Sequence, residues 1–156
     1  MTMPIIERRR IEAEIVGHLY REMAERFGEE AARGVVDTAI RKAAIAHGEK
    51  LRAELGHMPD FKDFEAILPA WTAEDALTIE VKEASADSFS YDVTRCRYAE
   101  TYKAMGLADL GALLSCNRDA AFCVGYNPDM TLERTSTIME GGTRCDFRYR
   151  LNKTGT

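Results

Sequence analysis

Cysteine is missing from the first 95 residues of this 156-residue chain, and all four cysteines fall between Cys96 and Cys145. None of them stands in a Cys-x-x-Cys pair, and the three histidines all lie in the N-terminal part, far from the cysteines in sequence. This spacing matches no standard zinc-binding pattern. The chain also lacks an apolar run near the ~20 residues that a membrane-spanning helix requires, which argues against a membrane role.

An excess of positive charge is absent as well. The formal net charge is -5, whereas a nucleic acid or an anionic membrane would favour a basic face, so neither is expected as a partner. The arginine run near the N-terminus is not followed by an apolar stretch, so no signal peptide is predicted and a cytoplasmic location is expected. In that reducing compartment the cysteines would be free thiols or metal ligands rather than disulfides.

Hydrophobic residues make up 46% of the chain and charged residues 30%, which is enough apolar material for a packed core. The length fits one domain over residues 1–156. Residues 1–56 have apolar side chains at helical spacing with a break at Gly28, and they predict a two-helix N-terminal segment. The apolar positions of its first helix are Ile5, Ile11, Ile15, Val16, Leu19 and Met23.

The hydrophobic period changes near residue 76, from helical to alternating. Two pairs of alternating segments, each pair joined by a turn, predict two β-hairpins with helical patterns between them. Because hairpin strands pair antiparallel, we predict an α+β fold: a four-stranded antiparallel sheet of two hairpins, packed by helices. Residues 76–151 carry this part and the cysteine motifs. The alternating segments are 77–83, 88–94, 130–139 and 143–151, and the helical ones are 97–106 and 107–128.

Cys96 follows a predicted strand and begins a predicted helix. The N-terminus of a helix carries partial positive charge and free N–H groups, which lower the pKa of a thiol. Glu100 lies four residues further on, on the same helical face, which makes both residues candidates for catalysis. The alternative is a buried small residue at a strand–helix junction.

Cys116 and Cys123 lie seven residues apart in one predicted helix, so they are expected to face nearly the same way. Asp119 lies on that side too, and a carboxylate among Ala, Leu and Phe residues is costly to bury without a task. It could orient a water, accept a proton or pair with an arginine. The alternative is a solvated or salt-bridged aspartate beside two cysteines of the core.

Cys145 stands on the apolar side of the last predicted strand, which must face the helices. We therefore expect Cys145 to approach Cys96 and Cys116 in one pocket. Three converging thiols indicate either a nucleophile with helpers or a zinc-type site, so no cofactor is required but a metal held by these three cysteines stays an option. Arginines near the motifs, notably Arg118 and Arg148, are candidate partners for a substrate carboxylate.

Four sequence blocks, CRYAE, LSCNRD, GYNP and CDFR, occur in that order. Together they resemble the L-2-amino-thiazoline-4-carboxylic acid hydrolase family over about residues 93–150. The resemblance implies functional residues at the matching positions. One departure is Arg144, because many members have a histidine directly before this last cysteine. The matching positions are Cys96, Glu100, Cys116, Asp119, Asn127, Pro128, Cys145, Asp146 and Arg148.

The resemblance implies hydrolytic opening of a cyclic amidine-like ring, in which a thiazoline acid becomes N-carbamoyl-cysteine. Cys116 or Cys145 would act as nucleophile at the carbon between nitrogen and sulfur. Asp119 would serve as base or orienter, and Cys96 as a second thiol or an anion-side residue. The expected substrate-binding residues are Arg118, Arg148, Asn127 and Tyr98.

Two other functions fit the same residues. A small-molecule- or metal-sensing domain would hold its ligand with the cysteines and show no turnover, and a structural domain would keep the cysteines in its core. Acidic residues at helical spacing from cysteines favour the hydrolase, because a plain core would not include them. The expected partner is a small-molecule substrate, and pairing of the long N-terminal helices between subunits would give a homo-oligomer.

Overall fold

Two long helices form the N-terminal part of the chain. In the computed structural model, which describes residues 3–152, helix α1 spans Ile5–Phe27 and helix α2 spans Glu29–Leu55. Gly28 lies between them with φ near +90°, a conformation that glycine adopts without strain, so the predicted break is confirmed. Gly56 follows α2 in the left-handed conformation typical of a helix end.

The buried side of α1 differs from the predicted one. Ile11, Ile15 and Leu19 are exposed, although their spacing indicated a core face. The inner side includes two small residues, which allow close packing, and an arginine. Counting large apolar residues therefore predicted the inner side only in part, since Ile5 is buried and Val16 and Met23 pack against the core. The buried residues of α1 are Ile5, Arg9, Ala13, Gly17 and Tyr20.

A four-stranded antiparallel sheet forms the C-terminal part. Its strands are β1 (Leu77–Ala84), β2 (Ser88–Cys96), β3 (Met130–Glu133) and β4 (Cys145–Leu151). The strand order is β1-β2-β4-β3. Both predicted hairpins are present, because β1 pairs with β2 and β3 pairs with β4, and they join along β2 and β4. The predicted α+β class is confirmed.

The sheet departs from the predicted strands at two places. Val81 of β1 is exposed, at a point where the pairing with β2 becomes irregular. Strand β3 ends at Glu133, well before its predicted end. The carboxylate of Asp146 accepts hydrogen bonds from the backbone N–H groups of Thr135 and Ser136, which takes these two residues out of the strand ladder.

The inner face of the sheet is aromatic. Tyr91 lies opposite Phe147 across β2 and β4, and their rings stack with centroids 4.8 Å apart. Val93 lies opposite Cys145, which is buried on this same face, as the alternation predicted. The first residue of β4 thereby points its thiol toward the helices.

Shorter helices cover this face: α3 (Phe61–Ile67), α4 (Pro69–Thr72), α5 (Arg97–Ala104) and α6 (Arg118–Tyr126). The continuous helix predicted over residues 107–128 is broken. A π-helical turn over Ala112–Cys116 precedes α6, and the N–H of Asn117 donates to the carbonyl oxygen of Ala112 at 2.9 Å. In the described part of the chain, no helix is both long and apolar enough to cross a membrane.

Helices α2 and α6 cross at close range. Gly48 of α2 faces the backbone of Phe122, and Gly125 of α6 faces the backbone of Ile45. A Cβ atom at either glycine would overlap these backbone atoms, so the crossing requires glycine. The close approach brings His47, next to Gly48, beside the Phe122 ring.

Candidate active site

A cavity of about 90 Å³ lies between the inner face of the sheet and helices α1, α2 and α6. Aromatic and aliphatic side chains form most of its wall. Its polar groups include thiols, guanidinium groups, a carboxylate and an imidazole, and such a mixture in an apolar pocket is typical of a small-molecule site. These polar residues are Arg9, His47, Cys96, Ser115, Cys116, Arg118, Asp119, Arg134 and Cys145.

Three cysteines line this cavity from three different elements. Cys96 lies at the end of β2, Cys116 ends the π-helical turn, and Cys145 begins β4. The convergence expected from the sequence is therefore present. Within residues 3–152, however, no group of three or more His, Cys, Asp or Glu side chains is arranged to hold a metal ion.

The fourth cysteine, Cys123, lies apart from the other three. It is buried in α6 outside the cavity lining, and its thiol donates to the carbonyl oxygen of Asp119 at 3.5 Å. The sequence predicted that Cys116 and Cys123 face the same way. Cys116 ends the π-helical turn and Cys123 lies in α6, so the two residues do not share one regular helix, and only Cys116 lines the cavity.

Burial raises the pKa of every cysteine thiol. The rise is large for Cys116, where the nearby carboxylate of Asp119 adds to the effect of burial. Burial raises the pKa of Cys123 to about 12. At Cys96 burial outweighs the N–H groups of α5, so the lower pKa expected at this helix start is wrong. The thiols are therefore protonated at neutral pH, and attack by any of them requires a base.

Asp119, in the first turn of α6, is placed to act as that base. Arg134 donates to its Oδ2 at 2.7 Å and, through a second nitrogen, to the carbonyl oxygen of Cys116 at 3.0 Å. The same guanidinium lies over the Phe147 ring, 5.0 Å from its centroid. Burial raises the pKa of Asp119, and the charge of Arg134 opposes this rise. The side chain remains 27% exposed and lines the cavity, so the carboxylate can meet a substrate there.

Two more arginines border the cavity on the side of α1. Arg9 is 6% exposed and donates to Glu12 at 2.8 Å. Arg118 donates through Nε to the carbonyl oxygen of Leu114 at 2.7 Å, and a second nitrogen reaches Glu12 at 3.5 Å. Sequence reasoning singled out Arg118 and missed Arg9. The signal was its position four residues after Ile5, on the same face of the helix.

His47 also lines the cavity, although no sequence motif marked it as a site residue. Its ring lies near those of Trp71 and Phe122, with centroids 5.8 Å and 5.5 Å away. Burial lowers its pKa, and the charge of Arg9 adds to this effect, so the imidazole is neutral at neutral pH. The glycine that follows it in mid-helix was the available signal, because Gly48 marks the close crossing with α6.

Glu100 and Arg148 are two of the predicted site residues that lie away from the cavity. Glu100 is on the surface and pairs with Arg95 at 3.1 Å. Arg148 lies on the outer face of the sheet and donates to Asp92 at 2.9 Å. Alternate residues of a strand face opposite sides, so Arg148 cannot share the inner face with Cys145. The predicted assignment of Glu100 and Arg148 to the site is therefore wrong.

Of the remaining predicted binding residues, Asn127 has a structural role and Tyr98 lines the cavity. Asn127 is buried, donates to the carbonyl oxygen of Pro59 at 2.8 Å and accepts from the N–H of Asp129 at 2.9 Å, which is a structural role outside the cavity lining. Tyr98 does line the cavity, and its hydroxyl donates to the carbonyl oxygen of Trp71 at 2.9 Å.

These features define an α+β domain that encloses a small cavity lined by thiols and arginines. The sequence profile described as L-2-amino-thiazoline-4-carboxylic acid hydrolase matches residues 8–149. The chain therefore belongs to this family. No functionally curated protein matches the chain.

Two solved structures share the fold. One is the phenol-responsive sensory domain of the transcription activator PoxR with phenol, at a TM-score of 0.55 and 12% identity, covering 88% of this chain and 73% of that one. The other is a trafficking protein particle complex subunit 3 from Naegleria fowleri covalently bound to palmitic acid. Its TM-score is 0.54 at 12% identity, covering 94% of this chain and 96% of that one. At this identity the likeness shows the fold alone.

Proposed function

We propose that this chain hydrolyses a small nitrogen heterocycle, of the thiazoline-carboxylate kind for which its family is named, in the cavity beside Cys116 and Asp119. One observation carries this function: a thiol and a carboxylate from adjacent turns line the same largely apolar cavity, and Arg134 binds both residues. Membership of the hydrolase family supports the reaction type.

The size of the cavity favours a compact substrate. An apolar cavity of about 150 Å³ can hold benzene, and this one measures about 90 Å³. A bicyclic or long-chain ligand is therefore too large, and the five-membered ring is the part of the thiazoline substrate that this space can hold. Trp71, Phe122 and Phe147 line the cavity and supply flat apolar surfaces against which such a ring can pack.

Cys116 is the best placed of the three thiols to attack. Cys96 and Cys145 are buried, whereas Cys116 is partly exposed to the cavity. The Sγ of Cys145 already accepts a hydrogen bond from the N–H of Ile138 at 3.2 Å. Because the Cys116 thiol is protonated, Asp119 takes its proton as Sγ bonds to the ring carbon between nitrogen and sulfur.

Ring opening and water complete the reaction. The ring C–S bond breaks as the ring sulfur accepts the proton from Asp119, which leaves the opened substrate joined to Cys116 as an isothiourea. Water then adds to the same carbon and gives its proton to Asp119. The bond to Cys116 breaks and its sulfur recovers the proton, so that one water is consumed and a carbamoyl group and a free thiol are released.

The test is turnover of 2-amino-thiazoline-4-carboxylate by the purified protein in heavy-oxygen water. We expect a carbamoyl product that carries one heavy oxygen, one new thiol for each turnover, and a transient adduct on Cys116. Asp119→Asn should lower kcat at least about 100-fold. Asp109→Asn, which removes a surface carboxylate bound to Arg21, should leave kcat unchanged. No product, or equal rates in the two variants, would overturn the proposed function.

Binding without turnover is a second candidate, favoured by the raised pKa of all four thiols. Neutral thiols and aromatic walls suit an uncharged aromatic ligand, and a sensory domain of this fold responds to phenol. Calorimetry separates the two functions. Stoichiometric phenol binding together with no product from the thiazoline carboxylate would favour the sensor, and turnover would favour the hydrolase.

A further inference from the structure

The side of the cavity formed by α1 has more positive than negative charge. Arg9 and Arg118 both line the cavity, and within residues 3–152 Glu12 is the one carboxylate paired with either of them. Glu12 also pairs with Arg8 and lies outside the cavity lining. Three guanidinium groups thus share a single carboxylate, and two of the three face the cavity.

The other titratable groups nearby leave this charge in place. The imidazole of His47 is neutral, and Asp119 is already bound by Arg134. Burial lowers the pKa of Arg118 to about 10, with the charge of Arg9 contributing, so Arg118 stays protonated at neutral pH. Burying guanidinium groups that share one carboxylate is costly, and an anionic ligand in the cavity would offset that cost.

We infer that Arg9 and Arg118 together bind the carboxylate of the ligand and thereby turn its ring toward Cys116. The identity of the ring rests on the proposed function, but the anion contact does not depend on turnover. Guanidinium groups match carboxylate geometry through parallel N–H donors. Arg9, which no sequence motif marks, is therefore assigned to the binding site beside Arg118.

Calorimetry on Cys116→Ser protein tests this contact apart from catalysis, because the ligand then survives the titration. The probes are 2-amino-thiazoline-4-carboxylate and its carboxamide. We expect the carboxamide to bind at least about tenfold more weakly than the carboxylate. Arg9→Met and Arg118→Met should each lose at least about tenfold in carboxylate affinity and leave carboxamide affinity unchanged.

Arg10→Met is the matched control, because Arg10 lies on the same helix, pairs with Glu7 and Glu14, and does not line the cavity. Arg9→Lys keeps the charge and should retain most of the affinity, which covers the case in which Arg9→Met does not fold. Equal affinity for the two probes, or Arg9→Met binding like Arg10→Met, would overturn the assignment. Turnover by the unmodified protein would then decide separately whether the hydrolase function stands.

A different observation concerns the outer side of α1. Ile11, Ile15 and Leu19 are 45%, 60% and 54% exposed and recur every four residues, so they form one apolar stripe along the helix. Arg8, paired with Glu12, lies at one end of this stripe and Glu22, paired with Arg26, at the other, and both side chains are more than half exposed. The stripe therefore ends in opposite charges.

These positions are symmetric about Ile15. Ile11 and Leu19 lie four residues to either side, and Arg8 and Glu22 lie seven. In an antiparallel pair of α1 helices with a two-fold axis at Ile15, Ile11 meets the partner's Leu19. Arg8 then meets the partner's Glu22, so apolar contacts and charges are complementary at once. The geometry points to a homodimer of this chain through the stripe on α1.

Sedimentation over about 5–200 µM, a range suited to a modest interface, tests the homodimer. We expect dimers of the unmodified protein, monomers of Ile15→Glu, and a dissociation constant raised at least about tenfold in Arg8→Glu. The double variant Arg8→Glu with Glu22→Arg should restore the affinity, because the exchanged charges attract again. Val124→Glu changes an exposed apolar residue of α6 and should leave the dimer intact. A monomeric unmodified protein, or a dimeric Ile15→Glu, would overturn this interface.

Discussion

Arg134 donates to Oδ2 of Asp119 across 2.7 Å, and this contact joins the loop after β3 to the helix that carries the candidate base. Arg134 directly follows β3, and strand alternation places it on the inner side with Met130 and Leu132. The guanidinium favours the ionised form of a carboxylate that burial disfavours. The proton-accepting capacity of Asp119 therefore depends on Arg134.

Arg134→Met should lower kcat about 10- to 100-fold at neutral pH, because Asp119 loses the cation that keeps it ionised. Activity requires the ionised base and is lost as pH falls through the pKa of Asp119. Burial already raises that pKa, and loss of Arg134 raises it further, so the acid limb of the kcat profile moves to higher pH. Arg144→Met changes an exposed arginine paired with Asp92 and should leave the limb in place. An unmoved limb in Arg134→Met would contradict this dependence.

The thiols should react slowly with iodoacetamide at neutral pH, because burial raises the pKa of all four. Each reaction midpoint should lie above about 8.5, the ordinary value for a cysteine. Peptide mapping across a pH series gives each midpoint, and Cys116 should have a high one, because burial and the carboxylate of Asp119 together raise its pKa. A midpoint below the ordinary value, at Cys96 above all, would show that the helix start outweighs burial.

Gly125→Ala should destabilise the fold by about 3 kcal/mol or more, because the new methyl group overlaps the backbone of Ile45 at the crossing of α2 and α6. Gly34→Ala is the matched control. Gly34 lies within α2 with open space around its Cβ position, so alanine there should stabilise the helix by about 0.5–1 kcal/mol. Urea unfolding of both variants measures the difference, and similar stabilities would contradict the close crossing.

Arg148→Met should reduce stability and spare the chemistry. Arg148 and Arg144 cover the buried carboxylate of Asp92 on the outer face of the sheet. Removing the Arg148 guanidinium should therefore lower the free energy of unfolding by about 1–3 kcal/mol. The residue does not reach the cavity, so KM for the thiazoline carboxylate should not change. A raised KM with unchanged stability would return Arg148 to the substrate-binding role that its sequence motif indicated.

Most of the correct structural predictions came from the alternating patterns of the strands. The alternation after residue 143 placed Cys145 on the inner face, which is correct because strand geometry alone sets the side of each residue. Helical periodicity failed for part of α1, where Ile11 and Ile15 lie outside and Arg9 is buried, although Ile5 faces the core as predicted. It failed again before α6, because the sequence does not mark the π-helical turn.

Only part of the cavity lining could be predicted from the sequence. The thiols of Cys96, Cys116 and Cys145 were expected to meet because the apolar side of the last strand, which carries Cys145, must face the helices. Arg9 and His47 reach the same space from helices near the start of the chain. No local pattern connects such distant segments, so their place depends on tertiary packing, above all on the close crossing of α2 and α6.

The most direct measurement compares thiol release from 2-amino-thiazoline-4-carboxylate by Cys116→Ser and Cys123→Ser proteins. Both variants remove one thiol from the same region, but only Cys116 lines the cavity. We expect repeated turnover by the unmodified protein and by Cys123→Ser, and a kcat at least about 1000-fold lower in Cys116→Ser. Equal turnover by the two variants would contradict the role of Cys116 as nucleophile.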